Sequence, residues 1–317
     1  MLSRMLNGLD GTVAVMGSLN ADYSVRCARL PKPGETVSGE GLTLTPGGKS
    51  SNQAACAAKL GANVAMVGAV GTDDAADFLI GQLEQAGADV LGVERLEGPS
   101  GSAVVEVDAA GENSIVVSPG SNGLVTPELV ERHADAIRGA RALGLCLEVP
   151  MDAVIRAAQI AHEAGVRVLL NDSPFQAELP RELIAACDVL LVNQHELAEL
   201  LGMADKGGAS LDDSQWQAIA AALGELGFYE AIVTLGGDGS VVLGDEQVHR
   251  VAPVRVGAVD TTGCGDAFMG AVLAGLASGR TLAESADVAS YVGAYAACGH
   301  GAQASYGTPE EILAKLA

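Results

Sequence analysis

Two hydrophobic periods alternate along the chain. Short β-branched runs at residues 13–17, 63–70, 142–148, 167–170, 189–192 and 231–235 read as buried strands bounded by turn signals. Between them, apolar residues recur at helical spacing over 52–60, 75–87, 151–164, 178–186, 196–201 and 213–226. Repeated strand–helix alternation predicts a three-layer α/β/α sandwich with a mostly parallel central sheet, because crossover helices cover both faces. Ligands then belong at the carboxyl ends of the strands.

Two stretches break the alternation. Residues 22–45 carry Pro31, Pro33 and several glycines, and residues 100–118 form two alternating apolar arms about a turn at 108–113. Together they could form a small β-sheet that stands off the body as a lid or a dimer surface; a plain exposed hairpin fits the same letters. Residues 204–214 read as a polar loop without assigned function, and no internal repeat is found. Residues 1–317 are therefore expected to form one domain, long enough for a substantial core, with this appendage.

Charge and cysteine usage narrow the class. A formal net charge of −22 argues against a nucleic-acid partner, whose phosphates would be repelled. No apolar run approaches the roughly 18 residues of a membrane span, and residues 1–15 lack the apolar core of a signal peptide, so a cytoplasmic protein without a membrane partner is expected. Cys27, Cys56, Cys146, Cys187, Cys264 and Cys298 make no C-x-x-C pair and read as reduced thiols. None of the five histidines falls at a metal-ligand spacing.

The stretch with the most chemistry is VDTTGCGDAF at 259–268. The β-branched run 248–259 leads into a glycine-bracketed turn, and 267–276 has helical spacing. Gly263, Cys264 and Gly265 would form an anion hole at the helix mouth, where orphan amides and the macrodipole can hold a phosphoryl group. Asp266 in the first turn is placed to accept a proton from an attacking hydroxyl, or merely to cap the helix.

Further polar residues gather where strands end. Asn20 and Asp22 follow the first strand at alternate positions and suit vicinal diols, or serve as Asx turns. In TPGGKSSNQAACAAKLG at 45–61, Gly48, Lys49 and Ser50 mimic the end of a Walker A loop, but Thr43 stands where that loop needs glycine. The run instead offers Lys49, Ser50, Ser51 and Asn52 to a polyhydroxylated ligand. Glu148 closes the run that begins at Ala142. Asn193 with Glu196 fits either a capping box or oxygen ligands that orient hydrated Mg²⁺ on a nucleotide. Thr234, Leu235, Gly236, Gly237, Asp238 and Gly239 form a turn that main chain could bring to a phosphate or base. GHGAQA at 299–304 matches the dinucleotide fingerprint in letters, but it precedes only a turn and a short tail, so it is rejected.

In order and spacing these motifs resemble the ribokinase-like (PfkB) carbohydrate kinases over nearly the whole chain. Asn20 and Asp22, Gly47-Gly48-Lys49 with Asn52-Gln53-Ala54, Glu148, Asn193 with Glu196, TLGGDG, DTTGCGD and GAQAS carry the resemblance. It implies a β-lid that closes over the sugar and often joins two subunits, here a homodimer, and ATP-dependent phosphorylation of a primary hydroxyl. The 5-hydroxyl of D-ribose is the first expectation, with a nucleoside or 2-deoxyribose as alternatives and a non-catalytic sugar sensor as the different-class competitor. By position it implies sugar contacts from Asn20, Asp22, Gly48, Lys49, Asn52 and Glu148, and Asp266 as base. The nucleotide would lie along Asn193, 234–239 and Gly265, with Ser290 near its base. A monovalent cation, K⁺, would fall between the Asp260 and Thr262 region and Ala296, Gly299, Gly301 and Ser305. Three departures stand out: Ser50-Ser51 before Asn52-Gln53, Asn171-Asp172-Ser173-Pro174-Phe175 in place of a proline- and alanine-rich run, and Ala304 where proline is common.

Overall fold

The computed structural model of the chain describes residues 2–203, 208–244 and 247–316. Its strands are β1 (Thr12–Gly17), β2 (Asn20–Cys27), β3 (Gly39–Gly47), β4 (Asn63–Val70), β5 (Asp89–Arg95), β6 (Gly101–Val107), β7 (Asn113–Ser118), β8 (Ala142–Leu145), β9 (Arg167–Asn171), β10 (Val189–Asn193), β11 (Glu230–Thr234), β12 (Ser240–Gly244) and β13 (Gln247–Val251). Its helices are α1 (Leu2–Leu6), α2 (Lys49–Lys59), α3 (Asp74–Ala86), α4 (Pro127–Arg132), α5 (Ala134–Arg138), α6 (Met151–Glu163), α7 (Arg181–Ala186), α8 (Gln194–Leu200), α9 (Asp213–Leu226), α10 (Cys264–Ala277), α11 (Leu282–Ala296) and α12 (Pro309–Leu316).

Nine strands form the main sheet in the order β13-β12-β11-β10-β9-β8-β1-β4-β5. All pairs are parallel except β11–β12 and β12–β13. Side chains of successive strand residues go to opposite faces, so Val13 and Val15 of β1 pack into one core and Ala14 and Met16 into the other. The first core holds α1, α2, α3, α10, α11 and α12; the second holds α4 to α9. Continuous burial of β1, β8 and β10 follows from helices on both sides. The chain runs from β1 outward through β4 to β5, then returns to β8 on the other flank of β1. That reversal opens a crevice at the carboxyl ends of β1 and β8.

A second sheet has the order β3-β2-β6-β7. It contains both stretches expected to form the lid, although β2 starts at Asn20 and β3 runs on to Gly47, so it reaches further into the body than 22–45. The hairpin of β6 and β7 pairs Ser102 with Ser118 through to Val107 with Asn113.

Three expected boundaries move for identifiable reasons. The strand expected over 248–259 ends at Val251, because Pro253 offers no N–H to a ladder, and irregular chain carries on to the cradle. The strand expected to reach Glu148 stops at Leu145, where Leu147 N–H turns instead to Ser173 O. Helix α2 begins at Lys49 rather than Asn52, with the positive-φ Gly48 as its N-cap. Of the polar loop expected at 204–214, residues 204–207 lie outside the described residues; Gly208–Ser210 is a 3₁₀ turn and α9 starts at Asp213 on an Asp212 capping box. Among the described residues no helix is long and apolar enough to cross a membrane.

Helices α2 and α10 approach closely through Gly270, where a Cβ would stand 2.6 Å from Gln53 O and 2.8 Å from Cys56 Cβ. Gly270→Ala is expected to destabilise the protein by about 1–3 kcal/mol, since overpacking outweighs the roughly 1 kcal/mol that alanine gains in helix propensity. Urea unfolding midpoints check this; an unchanged or raised midpoint contradicts the tight contact.

Candidate active site

Glu148 joins three elements at the crevice. Its Oε2 accepts from Ser18 Oγ at 2.5 Å and from the Lys49 amide at 2.9 Å. Gly48 gives α2 no side-chain cap, so Glu148 fills that place from across the sheet, where the helix field favours an anion. A Cβ on Gly48 would stand 2.9 Å from the Asn20 nitrogen, and its φ of 90° lies in the left-handed region, so glycine is required there.

Asp266, in the first turn of α10, meets α2 directly. Its Oδ2 accepts from Asn52 Nδ2 at 2.9 Å and its Oδ1 from Gln53 Nε2 at 3.4 Å. Burial pushes its pKa up to about 6, against the pull of Lys49 and the Asn52 amide, while Glu148 adds repulsion. The carboxylate is thus held in place by two side-chain amides with its pKa raised toward neutrality.

Asp22 lies on β2 beside the same groups. Burial raises its pKa to about 7, with repulsion from Glu148 and Asp266 adding to it. Its Oδ1 is buried without a hydrogen-bond partner, a cost that a donor reaching it would remove. For Lys49, burial works against the charge, but attraction from Asp266, Glu148 and Glu196 outweighs it and raises the pKa.

The cradle itself is fixed from behind. Gly263 caps α10 at a φ of 73°, its oxygen accepts from Tyr306 Oη at 2.9 Å, and a Cβ there would stand 2.5 Å from that of Ala302. The Cys264 amide is taken by Thr261 O at 3.2 Å, which removes it from the expected anion hole. Gly265 faces open space: a Cβ there would meet nothing within 4 Å. Behind the turn, Asp260 accepts from the amides of Thr262 and Gly301, both at 2.9 Å, and so ties loop 259–263 to loop 297–305. Burial works against ionisation of Asp260, but those amide bonds hold its pKa below the usual range.

Other expected contacts divide. Asn193 and Glu196 form a full capping box on α8: Asn193 Oδ1 accepts from the amides of His195 and Glu196, and Glu196 Oε2 accepts from the Asn193 amide at 2.7 Å. Thr234 ends β11, and Gly236 to Asp238 make a 3₁₀ turn closed by Leu235 N–H to Gly239 O at 2.8 Å. Gly237 there also faces open space. Ser290 Oγ bonds Ala252 O on the edge of that region. Ser50 and Ser51 turn inward: Ser50 lies against Gly17, and Ser51 Oγ bonds the carbonyls of Gly47 and Gly48. Helix α2 starts three residues early, which points these two hydroxyls into the fold.

Sequence reading gave no role to Gln303, yet its Nε2 donates to Asn52 Oδ1 at 3.0 Å and to Ser51 Oγ at 3.2 Å. Nor did it single out Asn122, which grips Asn20. Asn122 leaves no trace in the letters beyond a lone amide, whereas Gln303 lies in the GAQAS motif without a role that the motif alone assigns. A separate cleft of about 1060 Å³, lined by His162, Arg181, Cys187, Asp188 and Tyr229 among others, lies at the amino ends of β10 and β11. It holds none of the converging groups, and ligands of such sheets bind at the opposite ends, so it is set aside.

An open cradle beside a buried carboxylate suits a kinase of small hydroxylated molecules. The chain belongs to the pfkB family of carbohydrate kinases, whose profile it matches over residues 10–309. It is 37% identical to a ribokinase of Schizosaccharomyces pombe over 286 residues, which cover 87% of this chain and 89% of that one. A deoxyribokinase of Salmonella typhi is 33% identical over 302 residues, 95% of this chain and 97% of that one. The solved structure of Arabidopsis thaliana ribokinase complexed with ribose and ATP matches with a TM-score of 0.88 at 31% identity, covering 97% of this chain and 99% of that chain. This protein is an ATP-dependent sugar kinase of the ribokinase family.

The raised pKa of Asp22 carries a stability consequence. A carboxyl whose folded pKa exceeds its unfolded one adds stability below the unfolded pKa and loses it as pH rises through the folded pKa, here from about 4 to about 7. Asp22→Asn should therefore stabilise the sugar-free enzyme by on the order of 2 kcal/mol at pH 8, and by less as pH falls toward 5. Denaturant midpoints of both proteins across that range test it; a gain independent of pH would contradict the shift.

Proposed function

We propose that this enzyme phosphorylates the 5-hydroxyl of D-ribose in a single in-line transfer from ATP, giving ribose 5-phosphate and ADP. The observation that carries this reading is Asp266, fixed by Asn52 and Gln53 at the mouth of α10 with its pKa near 6. Ribose would be held by Asn20, Asp22, Gly48, Lys49, Asn52 and Glu148, and the Arabidopsis relative complexed with ribose and ATP supports a pentose there. The relative that is a deoxyribokinase supports 2-deoxyribose as the second candidate.

In the reaction the 5-oxygen forms a bond to the γ-phosphorus while the bond to the β–γ bridging oxygen breaks and ADP leaves. The hydroxyl proton passes to the Asp266 carboxylate and from there to solvent. Orphan amides at the mouth of α10, Gly265 among them, meet charge that develops on the phosphoryl oxygens. Lys49 holds the sugar and moderates the charge of three neighbouring carboxylates. The nucleotide would lie along 234–239, where Gly237 leaves backbone open, with Ser290 toward its base.

Glu196 is a half-buried carboxylate with a raised pKa, burial first among the causes, and such a hard-oxygen donor with Asn193 beside it fits hydrated Mg²⁺. When bound, Mg²⁺ neutralises charge on the nucleotide phosphates. For K⁺, Asp260 stays ionised and already joins the two loops that carry Thr262, Ala296, Gly299, Gly301 and Ser305, so a cation there would stiffen the turn before Gly263. The lid exposes Leu42 at 71% and Val116 at 67%, with Ile115 and Val117 beside the latter, an apolar edge that a second copy would cover as a homodimer.

Asp266→Asn should lower kcat by about 10³-fold or more while sugar and ATP KM stay within a few fold, since the amide keeps the shape but takes no proton. Wild-type kcat should fall on acidification through about pH 6, as Asp266 gains its proton. Near-normal turnover of the variant would sink the base assignment. Added K⁺ should raise the rate measured in buffer free of sodium and potassium; equal rates remove the cation site.

A further inference from the structure

Asn122 sits in the 3₁₀ turn Gly120–Leu124, where the chain comes back from the lid to the body, and it is 1% exposed. Its side chain faces the point where the chain leaves for the lid, at Leu19 and Asn20. The Leu19 amide donates to Asn122 Oδ1 at 3.0 Å, and Asn122 Nδ2 donates to Leu19 O at 3.0 Å. A backbone N–H only donates and a carbonyl only accepts, so Leu19 dictates which end of the Asn122 amide is oxygen.

That choice propagates. The second proton of Asn122 Nδ2 points at Asn20, whose facing atom must then be oxygen, and Oδ1 lies there at 2.7 Å. With its carbonyl engaged from behind, Asn20 has its two amide protons left for a ligand. Asp22, two residues along the same strand face, offers acceptors. The pairing also demands glycine at 101, where a Cβ would stand 2.0 Å from Asn122 Nδ2 and 2.4 Å from Asn20 Oδ1.

We infer that Asn122 is a positioning residue for sugar recognition: through Leu19 it fixes the polarity of Asn20, so the sugar meets a donor from Asn20 beside an acceptor from Asp22. Such a pair reads one hydroxyl as acceptor and another as donor, and a sugar that lacks either leaves a polar group unpaired. The inference rests on the sugar-kinase reading of Asn20 and Asp22.

Asn122→Asp tests it with little change of shape. The aspartate still accepts from Leu19, but its second oxygen faces two acceptors, so Asn20 must turn its amine inward and present oxygen to the sugar. The expected result is a ribose KM about 10- to 50-fold higher, an ATP KM within about twofold of wild type, and a smaller effect in an Asn20→Ala background, within about twofold. A purely structural role would move both KM values or persist without Asn20. Should Asn122→Asp fail to fold, Asn20→Asp keeps the bond from Asn122 and swaps only the outward donor for an acceptor; the same rise in ribose KM is expected. An unmoved ribose KM in the folded variant, or an equal rise in the Asn20→Ala background, overturns the inference while the kinase reading stands. A wild type that releases ADP with neither ribose nor 2-deoxyribose overturns the pentose reading of Asn20 and Asp22, and the inference with it.

Discussion

Between α2 and α10 there is room for backbone and little else. Gly270 allows α10 to lie against Gln53, Cys56 and Ala57, and Cys56 Sγ donates to Ala267 O across the same seam. Contacts advance in the same sense along both helices, from Asn52 with Asp266 to Ala57 with Gly270, so the two run side by side and their amino ends meet. Ala57, fully buried opposite Gly270, keeps that spacing. Each amino end contributes partial positive charge to one point in the crevice. A bulkier seam would separate Asp266 from Asn52 and Gln53 and divide that field.

Three carboxylates share the crevice with one lysine, in a chain that already carries a formal charge of −22. They coexist because each has a different support. Glu148 is bonded to the first amide of α2, Asp266 to two amide side chains, and Asp22 to no hydrogen-bond donor at its Oδ1. Burial raises the pKa of Asp22 to about 7 and that of Asp266 to about 6. On the ribose reading, sugar hydroxyls would supply the donor that Asp22 Oδ1 lacks.

The layers of the fold were legible because period and burial coincide in β1, β4 and β10 and in α6 and α9, whose ends the letters gave to within a residue or so. Residues 240–251 were less legible: β12 and β13 form an antiparallel edge after the alternation has ended, and Pro253 cuts the second strand short. Helix α11 has residues 282–296 with a capping box at Thr281, yet Ala, Ser and Gly dilute its apolar stripe. In the site, motif letters marked Asp266, Glu148, Asn20 and Asp22, whereas direction of a side chain was not in them. Ser50 and Ser51 look as available as Asn52 in sequence, and only the start of α2 at Lys49 turns them inward. Asn122 and Gln303 act over separations of 102 and 251 residues, a distance that no local pattern spans.

How the lid is attached explains why recognition and lid cannot be separated. At its root, Asp73 accepts from Ser100 Oγ at 2.6 Å and from the Ser100 amide at 2.9 Å, Ser121 Oγ donates to Ala69 O, and Asn122 holds Leu19 and Asn20. The Ser121 and Asn122 bonds are buried, those of Asp73 part-buried, and all are directional, so they fix the base of the second sheet in one arrangement, where apolar packing alone would allow sliding. Beyond the root the support ends: β7 is exposed along its whole length, and a sheet of this size needs a covered face for independent stability. Strand β2 runs from that rigid base out into the sheet and carries Asn20 and Asp22 at its start. A ligand that grips those two residues would therefore act on the strand through which the second sheet is anchored, and whatever orders the outer part of that sheet would be felt at the same two side chains.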